Sequence, residues 1–142
     1  MITILICSIG ISNAINEIDV VQDILNSYHF KYKPELDVFD CVDMSIANYN
    51  MFKSLGYDVR IAIKEDGYMP DGQPTGHCFA IIKLSEGWVG IETKQAVVNT
   101  SISIGKIISI PELREICNSP EEIYARDRRK NIIVDDIAIE KN

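Results

Sequence analysis

The stretch Phe39-Asp40-Cys41-Val42-Asp43-Met44-Ser45 opens a helix with a cysteine in its first turn, and the later chain reads as a set of partners for that cysteine. Asp40 is placed as N-cap, its carboxylate accepting from unpaired N–H groups of the first turn. Asp43 stands near N3, where a carboxylate meets the positive end of the helix dipole. Cys41 falls at about N1, and a thiolate there feels the same partial positive charge. The helical pattern continues to Leu55 and stops at Gly56, a natural C′ residue. Cys41, Met44, Asn48, Met51, Phe52 and Leu55 recur at three- and four-residue steps, which predicts a buried stripe beginning at the cysteine.

The chain of 142 residues is of a size for one domain with a real core. Its net charge of −7 argues against a nucleic-acid partner, whose phosphates demand a basic face. The basic cluster Arg126, Arg128, Arg129 and Lys130 is interleaved with acids and reads as a solvated helix face. Cysteines stand at 7, 41, 78 and 117, with no C-x-x-C spacing, so neither a zinc ribbon nor a thioredoxin motif is supported. Cys117 reads as a buried structural thiol, with a Cys78–Cys117 bridge left open. Residues 1–14 carry two readings. Ile2 to Ile11 is almost wholly apolar and Ser12-Asn13-Ala14 resembles a cleavage site, as in an export signal lacking its basic start. Alternatively Thr3 to Ile9 is a buried strand. The first reading implies export or the cell surface, the second the cytoplasm. Nothing else is long enough to span a membrane.

Asn16 to His29 predicts an amphipathic helix capped by Asn13 or Asn16, with Ile18, Val21, Ile24 and Tyr28 on one face. His29 reads as a surface or C-capping residue. Val59 to Ile63 predicts a strand. Lys64 to Gly76, with three glycines and two prolines, predicts an irregular loop overhanging a site. His77–Ile82 and Trp88–Thr93 flank a short polar connection and predict a β-hairpin. One or two strands follow within 97–110, then a short helix over 111–117. Ser119-Pro120-Glu121-Glu122 predicts a helix start running to about Lys130. A strand over 131–140 ends the chain.

A thiol at a helix N-terminus, a histidine at a strand start and a carboxylate on the neighbouring strand are the parts of a Cys-His-acid triad. A thiol of pKa ~8.5 falls to ~3–4 when paired with an imidazolium at such a site. A carboxylate on the far imidazole nitrogen fixes tautomer and orientation. The candidates are Cys41 as nucleophile, His77 as base and acid, and Glu92 as the orienting carboxylate. Taken singly, each has a blander reading: a small buried hydrophobe, a hydrogen-bonded structural histidine, a strand-end charge. Trp88 reads as hairpin packing and Asp43 as a cap.

Asp40-Cys41-Val42-Asp43 opening a helix, Gly76-His77 opening a strand, and Gly87-Trp88 with Glu92-Thr93 closing the hairpin resemble the transglutaminase-like family of papain-type cysteine enzymes. The resemblance is closest to its small single-domain bacterial and archaeal members and covers Phe39 to Thr93. It implies an α+β, papain-like core over 15–142, with the Cys-bearing helix packed on an antiparallel sheet. It also implies Cys41, His77 and Glu92 as catalytic residues, no cofactor or metal, and a peptide or protein amide as substrate. Three residues depart from the family pattern. The acid is Glu92 where Asp is usual, Cys78 stands where Ala is common, and Phe79 stands where Trp is common.

Register decides whether the triad can form. Pairing His77 with Glu92 needs a four-residue connection, Lys83 to Glu86, and this is the expected hairpin. A two-residue turn at Glu86-Gly87 would instead set Glu92 against Ile81, ~13 Å along the strand from His77. The expected activity is thiolate attack on an amide carbonyl, an acyl-enzyme on Cys41, and release to water (peptidase or amidohydrolase) or to an amine (transamidase). The backbone N–H of Cys41 is the natural first oxyanion donor, with a second from the Tyr28–Asp40 region. The alternatives are a catalytically silent binding or scaffold domain, and a metal site using Cys41, Asp43, His77 and Cys78. Adjacent His77 and Cys78 point to opposite sheet faces, which disfavours the metal site.

Overall fold

The computed structural model describes residues 16–34, 39–68, 74–93, 97–117 and 138–142. The order is α1 (Glu17–Asn26), β1 (Tyr28–Phe30), α2 (Cys41–Ser54), β2 (Val59–Tyr68), β3 (Pro74–Leu84), β4 (Gly87–Glu92), β5 (Val97–Asn99), β6 (Lys106–Ile108), α3 (Ile110–Cys117) and β7 (Ile139–Lys141). Five strands form one antiparallel sheet in the order β5-β4-β3-β2-β6, and β1 pairs with β7 in a separate ribbon. The fold is therefore mixed α+β, with helices packed against antiparallel strands. The two readings of residues 1–14 lie outside the described residues, as do the predicted 119–130 helix and the Ile132–Val134 strand.

Helix α2 forms the centre because both its ends are chemically marked. Asp40 accepts from the N–H of Val42 at 3.0 Å, while Asp43 Oδ2 accepts from the N–H of Asp40 at 3.1 Å, closing a reciprocal capping box. At the other end Gly56 takes φ +89°, and its N–H reaches the Lys53 carbonyl while that of Tyr57 reaches Phe52. This is a Schellman closure, sealed by an edge-on contact of the Phe52 and Tyr57 rings at 5.5 Å.

The expected single stripe on α2 is too narrow. Val42, Met44, Ser45, Ile46, Ala47, Asn48 and Phe52 are buried, whereas Leu55 is 47% exposed. The helix is covered on two sides. One packs on the sheet through Ile61, Cys78 and Ile108, and the other meets the ribbon through Tyr28, Phe30 and Ile139. A helix enclosed in this way is apolar over most of its circumference. Helix α1 lies on the same sheet face, with Val21 and Leu25 against Phe52, Ala80, Ile82 and Ile91. The reverse face carries Ala62, Phe79 and Ile81, covered by Trp88, Ile102 and Ile104.

Two other expectations are corrected. Helix α1 begins at its predicted Asn16 cap but ends at Asn26, because Tyr28-His29-Phe30 pairs with the C-terminal strand. The 64–76 loop is mostly strand: β2 runs to Tyr68 and β3 begins at Pro74, with Tyr68 paired to Pro74 beyond a bulge. A bulge absorbs the irregularity at Gly67, and proline is tolerated as a first strand residue. Cys78, for which the sequence left a bridge open, is not in a disulfide.

Candidate active site

The β3–β4 register is neither of the two expected. Leu84 pairs with Gly87, Lys83 with Trp88 and Ala80 with Ile91, so the connection is the two residues Ser85-Glu86. Gly87 stands just after the turn with φ +143°, a conformation open to glycine. Carried one pair further, this register sets Glu92 against Phe79, two residues from His77. The two side chains nevertheless share a face, and diagonal neighbours across antiparallel strands are ~7–8 Å apart at the backbone, within reach of long side chains. His77 Nε2 lies 3.2 Å from Glu92 Oε2. The expected contact is present, but on the diagonal. There the extra methylene of glutamate has a use that a directly opposed pair would not give it.

A carboxylate accepts, so Nε2 carries the proton toward Glu92 and Nδ1 presents its lone pair elsewhere. The imidazole stacks on Phe79, with ring centroids 5.4 Å apart at 30°, and Phe79 itself is fully buried. Phe79 thus supplies an apolar surface beside the imidazole. Lys64 pairs across from His77, its ammonium 5.9 Å from the Phe79 ring. His77 is 18% exposed and Glu92 27%, so the pair sits at the edge of solvent.

Cys41 is half-buried in the first turn of α2 and packs against the core cluster that contains Cys78. Ser45 Oγ lies 3.0 Å from Cys78 Sγ, and Phe52 joins Ala80 and Ile82. Cys41 stands one helical turn before Ser45 on α2. Pleating makes Cys78 face α2 and His77 face the other way, toward Phe79. The imidazole thus lies on the sheet face opposite to the helix that carries Cys41. His77 and Glu92 are brought into contact, and Cys41 packs with the core cluster on the other face of the sheet.

Asn99 is a residue that sequence reasoning missed. Its Nδ2 donates to Glu92 Oε1 at 3.0 Å, and its Oδ1 accepts from the Ser101 N–H at 2.9 Å. Val97 pairs with Glu92 and Gly90 with Asn99, so this contact too is a diagonal. Finding it from sequence would have required the β4–β5 register.

Among the described residues, no group of three or more His, Cys, Asp or Glu side chains is placed to hold a metal ion. No helix among them is long and apolar enough to cross a membrane. Comparison with protein-family models, with curated proteins and with solved structures finds no match.

Proposed function

We propose that this chain is a transglutaminase-like cysteine enzyme, a thiol peptidase or amidohydrolase working through an acyl-enzyme on Cys41. The observation that carries the reading is the contact of Glu92 with His77 Nε2, in a sheet on which the capped Cys41 helix packs. That contact leaves Nδ1 as the nitrogen that would exchange a proton with the thiol once the imidazole turns toward the α2 face of β3. The helix terminus and the imidazolium both favour a thiolate. In the reaction Sγ attacks the carbonyl carbon of an amide, and the oxyanion takes a hydrogen bond from the Cys41 N–H. The imidazolium gives its proton to the departing amine as the C–N bond breaks. Water, deprotonated by the neutral imidazole, then attacks the thioester and regenerates the thiol. An amine in place of water makes the same site a transamidase. The acidic chain is suited to a peptide or protein amide rather than to nucleic acid.

A second reading, a catalytically silent binding or scaffold domain, is favoured by one observation: the His77 ring rests on Phe79, in the layer opposite to α2. One experiment separates the two. Alkylation of Cys41 by iodoacetamide is measured from pH 4 to 9 in the wild type and in His77→Ala. A plateau of fast labelling well below pH 8, lost in the variant, supports the enzyme. Labelling that rises only near pH 8.5, indifferent to His77, leaves the scaffold.

A further inference from the structure

We infer that Asn99 is a positioning residue that locks the Glu92 carboxylate onto His77. The inference rests on the reading of His77 and Glu92 as working partners. Glu92 has three rotatable side-chain bonds and is partly exposed, so one contact at 3.2 Å leaves it free to swing into water. The second oxygen is what prevents this. Oε2 faces His77 on β3 while Oε1 accepts from Asn99 Nδ2 on β5, so the carboxylate is spanned between the two strands that flank β4.

The amide is itself held. Its Oδ1 accepts from the Ser101 N–H, so its oxygen cannot also face Glu92, and the flip ambiguity of an asparagine side chain is removed. Each polar end of Asn99 therefore has one partner, and the donor end points at an anion. An aspartate here would set a second negative charge against Oε1, and an alanine would leave that oxygen to water. A neutral donor orients the carboxylate without the full neutralisation that an arginine would bring, so Glu92 keeps its charge for the imidazolium.

The test compares Asn99→Ala, Asn99→Asp and Glu92→Ala with the wild type, using Val97→Thr as a control on the same strand. The first readout is the His77 Nε2–H proton by 15N-edited NMR, which needs no substrate and no reactive thiol. The second is the pH profile of Cys41 alkylation by iodoacetamide. Expected is an exchange-protected Nε2–H signal in the wild type and in Val97→Thr. It should broaden or vanish in Asn99→Ala and Asn99→Asp as it does in Glu92→Ala, with alkylation at pH 6 falling about fivefold, the equivalent of one lost contact. Thermal unfolding that matches the wild type shows that the variants are folded. If alkylation ignores His77→Ala while the Nε2–H signal still depends on Asn99, the enzyme reading falls and the positioning by Asn99 stands. A signal unchanged in Asn99→Ala and lost in Glu92→Ala overturns the inference.

Discussion

Replacing Glu92 with aspartate is ordinarily a mild change. The register predicts the opposite. His77 and Glu92 meet on a diagonal, so contact is made only by the full length of the glutamate side chain. Glu92→Asp withdraws the carboxylate by one C–C bond, ~1.5 Å. The 3.2 Å contact opens to as much as ~4.7 Å, outside hydrogen-bonding range. At 4 Å, opposite unit charges attract by ~4 kcal/mol at an effective dielectric of 20 and by ~1 kcal/mol in water. Because both side chains are partly exposed, the pair belongs near the lower figure, about 1 kcal/mol. That corresponds to about a fivefold smaller thiolate–imidazolium population wherever that pair is the minor form. In iodoacetamide labelling of Cys41 at pH 6, Glu92→Asp should therefore fall about fivefold and sit beside Glu92→Ala. Glu92→Gln keeps the reach and one acceptor, and should lie between them and the wild type. Wild-type labelling in Glu92→Asp, with a clear loss in Glu92→Ala, would refute the reasoning, because the diagonal would then not require the longer acid.

Other perturbations test the frame around the site. Gly105→Ala drives a methyl into the Ile63 carbonyl oxygen, a backbone atom that cannot give way. It should cost about 3 kcal/mol in urea unfolding, and a loss below half of that would mean the 105 segment does not lie against β2 as described. Asn48 is 2% exposed, its Nδ2 has no hydrogen-bond partner among the described residues, and it borders a 40 Å³ cavity with Leu25, Phe30 and Met51. Asn48→Leu should be neutral or stabilise by up to about 1 kcal/mol, whereas a loss of stability would show that a buried water serves the amide. Glu17 accepts from the Ser85 hydroxyl and from its N–H, and these bonds, the hydroxyl first, hold its pKa below the ordinary 4.5. A depressed carboxylate stabilises the fold above about pH 4.5, and this contribution is lost as pH falls through the lower folded value. Glu17→Gln should accordingly narrow the gap between urea midpoints at pH 7 and pH 3, and an unchanged gap would remove Glu17 from the acid response.

Local chemistry was legible and pairing was not. The Asn16 cap, the Asp40 and Asp43 pair and the Gly56 stop all act within a few residues, and each stands where the sequence puts it. The hairpin failed on one residue. Gly87 looks like a turn glycine, yet it follows a Ser85-Glu86 turn that carries no Asn-Gly or Asp-Gly signal. Tyr28-His29-Phe30 reads as the end of a helix until its partner is known, and that partner is the far terminus of the chain. Loop composition over 64–76 was similarly misleading, because a bulge can carry a glycine that would break a regular strand.

The orientation of His77 follows from core packing before any chemistry enters. Where α2 crosses β3, the sheet offers Cys78 and Ala80 and the helix offers Ser45 and Ala47, all small and all buried. Small residues let the two elements approach closely, and Ser45 and Cys78 use that closeness, Oγ to Sγ, at 3.0 Å. An imidazole in the place of Cys78 would have no room, so period-two alternation must send His77 to the other face. Once it is there, the register fixes its partners: Phe79 beneath it, Lys64 across on β2, and on β4 the only acid that a diagonal can deliver. Cys78 is thus a small packing residue in this crossing. Its substitution by alanine should leave the His77–Glu92–Asn99 chain in place, read as an unchanged His77 Nε2–H signal.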